Sequence, residues 1–351
     1  MILSVEQVRQ TLDSCKIKYS LMSLTDGFSL IITQHAGRIF AFDENGHSLY
    51  WMNARLAHAE DFVNYLHAKE WNMGGERIWI APEIQYNIRD RHDFWNTHSI
   101  PTDIDPAHYR LSEDNNKVKL SQDMSLEGFN ISSGIKNLSI ERIIRKIDNP
   151  LRDLKQFTDL MSEVHYAGYE QTVQLTETND TSIYSESWNL VQLEPDGMLY
   201  LPVTASPEVA TYFGNPPQDA ISADNHCVRL AITGTQQYKV GFKSLMMTGR
   251  MAYLKIREDE SASLLIRNFD NNPSAFYSEE PPDAVGKRGF SVHIYNDDGN
   301  MGGFGEMECS GQAIGADTGR HSSQDTFRMW LFTGKKQALE TIAELLLGID
   351  L

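Results

Sequence analysis

No stretch of this chain approaches the roughly 20 apolar residues that a membrane span requires, and its opening, Met1-Ile2-Leu3-Ser4-Val5-Glu6, lacks a basic region followed by an apolar run. Neither a spanning helix nor an export leader is expected, and the expected location is the cytoplasm. Cysteine is scarce. Cys15, Cys227 and Cys309 stand far apart with no paired spacing, which fits neither a disulfide framework nor a zinc cluster. They read as reduced structural thiols, and no metal or cofactor is expected. Positive charge is also short: 31 Lys and Arg stand against 48 Asp and Glu, a formal net charge of -17. Phosphate contacts need clustered cations, so nucleic acid is not an expected partner, and membranes and anionic polymers are disfavoured for the same reason. The one basic cluster, Arg142 to Lys146, includes two isoleucines at strand-like spacing and reads as a solvated face.

Several catalytic signatures are missing too. Gly302-Gly303-Phe304-Gly305 does not open a helix after a strand and is no dinucleotide fingerprint, and neither a phosphate-cradling loop nor a Gly-x-Ser-x-Gly elbow occurs. His92, His98 and His108 lie in a polar region with Asp93, Asp103 and Asp105, but their spacing matches no metal signature.

What is present is a chain with 41% hydrophobic residues, enough for one extended domain or two ordinary ones. Apolar residues recur with helical spacing in Ser4 to Cys15 and in Lys335 to Leu347, and more weakly in Ala54 to Ala68. The stripe of the second helix is expected to pack on its own domain. Almost everything else alternates with a period near two. Strands are expected at Ser29 to Thr33, Arg38 to Phe42, Arg77 to Ala81, Leu138 to Ile147, Trp188 to Leu193, Met251 to Arg257, Ser263 to Asn268, Phe290 to Tyr295, Gly303 to Cys309 and Thr326 to Phe332. Asp26-Gly27, Asn45-Gly46, Asp196-Gly197 and Asp298-Gly299 supply turn residues between them. Strand follows strand without crossover helices, so the expected fold is mostly β, with antiparallel sheets packed face to face. No linker or internal repeat divides residues 1–351, which read as one domain. Pro101 to Asn116, Asn215 to Asp224 and Asn271 to Asp283 read as long surface loops.

Two constellations could carry chemistry. In Met73-Gly74-Gly75-Glu76-Arg77-Ile78-Trp79-Ile80-Ala81-Pro82-Glu83, a strand puts Arg77 and Trp79 on one face and Ile78 and Ile80 on the other. A guanidinium beside an indole suits a sugar, whose C–H face lies on the ring while Arg or a carboxylate pairs with its hydroxyls. An ordinary strand with an exposed Arg packed along a Trp gives the same pattern. In Gly303-Phe304-Gly305-Glu306-Met307-Glu308-Cys309, the two glutamates share a face. Mutual repulsion can leave one of them protonated near neutrality, as an acid or base, although strand faces also carry paired glutamates for solubility.

The order of motifs resembles a divergent branch of the aldose 1-epimerase, or galactose mutarotase-like, superfamily. The similarity runs from Gln34-His35-Ala36-Gly37-Arg38-Ile39 through His47-Ser48-Leu49-Tyr50-Trp51-Met52-Asn53 and Gly74 to Glu83, then through Ser187-Trp188-Asn189-Leu190-Val191-Gln192-Leu193 to the Glu306 to Glu308 strand, over roughly residues 25 to 335. It implies an antiparallel β-supersandwich holding a sugar, and interconversion of the anomers of a free sugar or sugar acid. In that chemistry a carboxylate takes the anomeric hydroxyl proton while a histidine protonates the ring oxygen. The implied base is Glu308 or Glu306. Glu308 is the first choice, with Gln312 nearby similar to the Glu-x-Gln ending of that region. Arg77 is the implied substrate-orienting residue, joined by Trp79, Glu83, His92 and Trp188 as candidate substrate-binding residues. Where mutarotases carry Asn-His before an aromatic, this chain reads Ser185-Glu186-Ser187-Trp188. The alternative expectation is therefore a non-catalytic carbohydrate-binding protein that has lost the mutarotase histidines.

Overall fold

Alternating side chains translate into nineteen strands among the described residues, 2–114, 116–179 and 182–351, of a computed structural model. In chain order they are β1 (Tyr19–Ser23), β2 (Ser29–Thr33), β3 (Ile39–Phe42), β4 (Glu76–Ala81), β5 (Arg110–Asp114), β6 (Lys117–Gly128), β7 (Gly134–Lys146), β8 (Val164–Glu177), β9 (Glu186–Leu193) and β10 (Gly197–Pro202). They continue with β11 (Val209–Phe213), β12 (Ile221–Ala223), β13 (Cys227–Ile232), β14 (Tyr238–Lys243), β15 (Arg250–Ile256), β16 (Ser261–Phe269), β17 (Phe290–Asn296), β18 (Gly305–Ser310) and β19 (Ser322–Lys335). The first sheet runs β1-β2-β3-β4-β9-β18-β17-β14-β11 and the second β12-β13-β10-β15-β16-β19-β8-β7-β6-β5, with antiparallel pairing between neighbours.

The sheets face each other across a shared apolar core, to which the first contributes Ile78, Val191, Ile294 and Met307 and the second Tyr169, Val173, Leu265 and Leu331. Within that core sits a charged centre. Glu76 lies 3.0 Å from Arg267 Nη2 and accepts hydrogen bonds from Gln171 Nε2 (2.9 Å), Asn189 Nδ2 (2.6 Å) and the Tyr169 hydroxyl. Asn189 sits on β9 beside β4, but Arg267, Tyr169 and Gln171 sit on β16 and β8 of the opposite sheet, so the buried carboxylate also fixes how the two sheets meet.

Helices cover part of the outer side of each sheet. Lys336–Leu347 lays Leu339, Ile342, Ala343 and Leu346 on the outer side of the second sheet, against Leu254, Leu264, Ile266 and Phe332. Val5–Ser14, opened by a Ser4/Gln7 capping box, and Ala59–His67 cover the outer side of β2 and β3 through Val8, Leu12, Phe62 and Tyr65. No helix among the described residues is long and apolar enough to cross a membrane. Among the described residues no helix of this length covers the outer side of β4, β9, β18, β17 and β14.

All ten expected strands form, with ends shifted by a few residues. Strands β1, β5, β6, β8 and β10 to β14 lie outside those expectations, and β5 and β12 fall within segments read as loops. Both are sheet edges, where polar, exposed residues guard an unpaired backbone and erase the apolar alternation. Met1 and Asn115, parts of the N-terminal and Pro101 to Asn116 readings, lie outside the described residues. The expected helix Ala54 to Ala68 is divided at His58, which is extended at φ -137°. The basic run Arg142 to Lys146 is not one solvated face: Arg142 is buried, donating to Gln171 Oε1 (2.6 Å) and the Gly37 carbonyl (2.7 Å).

Removing one member of a buried ion pair strands the other charge. Arg267→Met is expected to cost roughly 3–5 kcal/mol in urea unfolding, against at most about 1 kcal/mol for the same change at the exposed Arg110, which pairs with Asp123. Arg267→Met combined with Glu76→Leu should recover most of that loss, and a double variant no more stable than the single one would argue against the charge-centred account.

Candidate functional site

The pleat fixes what faces outward from the uncovered part of the first sheet. Two glycines open β4, Gly74 at φ 94° and Gly75 at φ 76°; a Cβ there would meet the Trp51 carbonyl at 2.4 Å and the Ile39 carbonyl at 2.7 Å. From that entry Glu76 and Ile78 point into the core, and Arg77 and Trp79 point out. The antiparallel register carries the outward row across the sheet: Arg77 lies opposite Leu190, Leu190 opposite Glu308, and Glu308 opposite His293. A second row sets Glu306, Tyr295, Lys239 and Phe213 side by side. Trp79 pairs with Trp188. These rows floor a cavity of about 230 Å³, rimmed by Phe94, Trp95 and His98 from the short helix Phe94–Thr97 and its end, and by the β17–β18 connection at Asp298 to Met301.

Its aromatic walls are held in place by polar anchors. The Arg77 guanidinium stands 4.2 Å from the Trp79 ring and 5.3 Å from the Trp71 ring, and bonds Glu306 Oε1 at 2.8 Å. Trp79 Nε1 donates to Asp105 Oδ2 (3.0 Å), itself paired with Arg38 at 2.6 Å. Trp188 Nε1 donates to Glu308 Oε2 (3.0 Å), and the Lys239 ammonium lies 4.3 Å from the Trp188 ring. Lys239 is the hub: its Nζ is 2.9 Å from Glu83 Oε2 and 3.3 Å from Glu308 Oε2, while His98 Nε2 is 3.8 Å from Glu83 Oε1.

One buried cation thus serves several buried acids, with unequal results. Burial, offset in part by Lys239 and reinforced by Glu306, pushes Glu308 up to about 7. Glu83 goes the other way: burial works against its charge, yet Lys239 and His98 hold it down at about 2. Behind them burial raises Glu279, whose Oε2 accepts the Glu83 amide at 2.5 Å, to about 8 despite Lys239. Burial likewise raises Glu186 to about 8, against hydrogen bonds from Ser278. His293, buried and near Lys239, is held neutral; its Nε2 is 3.0 Å from the Tyr212 hydroxyl and its Nδ1 has no hydrogen-bond partner among the described residues. Glu308 is thus a cavity carboxylate able to exchange a proton near neutrality. No group of three or more His, Cys, Asp or Glu among the described residues is placed to hold a metal ion.

Of the residues singled out in the sequence, Arg77, Trp79, Glu83, Trp188, Glu306 and Glu308 line this one cavity. His92 does not. It is exposed in the turn Arg91–Asp93, where Asp90 Oδ1 accepts its backbone amide at 2.9 Å, and the chain beyond that turn presents His98 to the cavity instead. Lys239, Trp71, Tyr295 and the acids Glu186 and Glu279 escape a sequence reading. Tyr238-Lys239-Val240-Gly241-Phe242 does alternate, but a lysine on a strand face reads the same whether it meets water or two carboxylates.

Raised acids bind protons more tightly folded than unfolded, so their stabilising contribution is complete below the unfolded value near 4.5 and is lost as pH rises through about 7 for Glu308 and about 8 for Glu186 and Glu279. The thermal midpoint is expected to fall from pH 5 to pH 8, and Glu279→Gln should flatten that slope; a midpoint rising across this range would contradict the assignment.

The fold is shared with solved structures. A candidate aldose 1-epimerase from Escherichia coli K12 aligns at TM-score 0.53 with 10% identity, covering 90% of this chain and 99% of that one. A galactose mutarotase-like protein from Lactobacillus casei ATCC 334 aligns at TM-score 0.51 with 10% identity, covering 90% and 100%. No curated protein matches the chain by sequence. A family model described as "Family of unknown function (DUF6786)" matches residues 9–351, and the chain belongs to that family, built on the galactose mutarotase-like fold.

Proposed function

We propose that the cavity binds a small carbohydrate and interconverts its anomers. The supporting observation is the placement of Glu308, a buried carboxylate near pH 7, between indole walls and within the chain His98, Glu83, Lys239. Pyranose rings present an apolar face to Trp79 and Trp188 and hydroxyls to Arg77, Lys239 and Glu83. Glu308 takes the proton of the anomeric hydroxyl as its oxygen forms the C1 carbonyl, the bond from C1 to the ring oxygen breaks, and His98 protonates that oxygen. Rotation about C1–C2 and reversal of both transfers give the other anomer, with each proton returned. The names borne by the structural neighbours point the same way, and His98 on the rim fills the role of the histidine missing before Trp188. A sugar-binding role without turnover is the alternative, favoured by Glu308 already holding two protein partners.

NMR exchange or polarimetry on a panel of aldoses separates the two. Turnover predicts anomer exchange above the buffer rate, and Glu308→Gln should reduce it by about 10²–10⁴ while sugar affinity barely changes. Binding without acceleration of any aldose would leave the non-catalytic reading. Because the base form of Glu308 accumulates as pH rises through about 7, the kcat/KM profile for a responsive aldose should carry an acidic limb near that pH that Glu308→Gln abolishes, and a profile without such a limb would remove Glu308 as the base.

A further inference from the structure

Charge is unevenly shared within the cavity. Two cationic side chains, Arg77 and Lys239, line it against four carboxylates, Glu83, Asp298, Glu306 and Glu308. Both cations are already committed, Arg77 to Glu306 at 2.8 Å and Lys239 to Glu83 and Glu308 at 2.9 Å and 3.3 Å. The acids are not. Glu306 gives Oε1 to Arg77, but its Oε2, in a side chain only 6% exposed, accepts no hydrogen bond among the described residues and is not one of the atoms sealed from solvent. Asp298, exposed at the mouth, accepts from the Asn300 amide (3.0 Å) and from Asn300 Nδ2 (2.8 Å), and pairs with no cation among the described residues. An open carboxylate oxygen on a nearly buried side chain is matched most strongly by a donor that carries positive charge. An anionic ligand would find no uncommitted Arg or Lys in this lining.

Position narrows the chemistry further. Glu306 and Glu308 emerge on one face of β18, about 6.5 Å apart along the strand. Glu308 gives Oε2 to Trp188 and Lys239, which leaves Oε1 for a ligand. Hydrogen-bonding groups on adjacent ring carbons span such a gap, one to each carboxylate. Tyr295, opposite Glu306 in register, and Phe213, whose ring centroid is 6.1 Å from that of Tyr295, bring aromatic rings to the Glu306 end, where they favour a cation over a neutral group. We propose that the ligand is a 2-amino-2-deoxyaldose with a free amine, whose anomeric hydroxyl faces Glu308 and whose ammonium, on the next carbon, sits on Glu306 Oε2. The inference rests on the carbohydrate reading above and narrows it.

Calorimetric titration of the full chain at neutral pH with glucosamine, galactosamine and mannosamine, each beside its parent hexose and its N-acetyl derivative, tests it. At least one amine is expected to bind about tenfold tighter, or more, than both of its counterparts, since acetylation removes the charge and keeps the ring. Glu306→Gln, which keeps an acceptor for Arg77, should bring the ratio of amine to parent close to one; if that variant does not fold, the N-acetyl comparison on the unaltered chain decides. Hexose binding with no amine preference, or a preference that survives Glu306→Gln, overturns the amine inference and leaves the carbohydrate reading intact. Failure of all nine sugars to bind removes both.

Discussion

Successive side chains on a pleated strand must leave it on opposite sides, and in the middle of the first sheet this constraint separates a structural charge from a chemical one. Glu76 and Arg77 are neighbours in sequence, yet one carboxylate is sealed between two sheets with Arg267 and the adjacent guanidinium opens onto a cavity with Glu306. A one-residue slip of β4 would exchange these roles and place Trp79 in the core. The glycines that open the strand and the Glu76 network guard against that slip from two directions. The cavity therefore inherits its precision from the interior.

Electrostatics then divides the acids that the sheet gathers. Three carboxylates, at Glu83, Glu279 and Glu308, lie around one buried ammonium, and desolvation opposes ionising all of them together. Burial disfavours the charge on Lys239 as well, but Glu308, Glu83 and Glu279 hold it firmly protonated. Its charge settles most strongly on Glu83, which keeps its ionised form, and leaves Glu308 balanced near neutrality. Glu83 and Glu308 are thus unequal because Glu83 lies closer to Lys239 and has His98 beside it, not because their residue types differ.

The rim is built differently from the floor. Phe94 and Trp95 come from a four-residue helix and pack tilted and edge-on, with ring centroids 5.8 Å and 4.9 Å away, against Phe213 from the far edge of the sheet. Trp95 remains 56% exposed at the mouth. Floor residues are set by hydrogen-bonded register, whereas rim residues are set by a few aromatic contacts, so the floor is the more rigid part.

Read alone, the chain determined its class, its terminal helices, the ten strands with clear alternation, and the face shared by Arg77 with Trp79 and by Glu306 with Glu308. These are local properties, since period-two and helical spacing need no knowledge of distant residues. The sequence also carried the likeness to the mutarotase-like fold, through the run from Gly74 to Glu83. Tertiary structure alone decided that the two faces belong to one hollow, because β4 meets β18 only through β9. It also decided that Lys239, some 70 residues before Glu308 by number but 3.3 Å away in space, supplies the counter-charge, and that His98 reaches the cavity where His92 does not. Register and desolvation act between segments remote in the chain, and neither leaves a mark on the residues in any one of them.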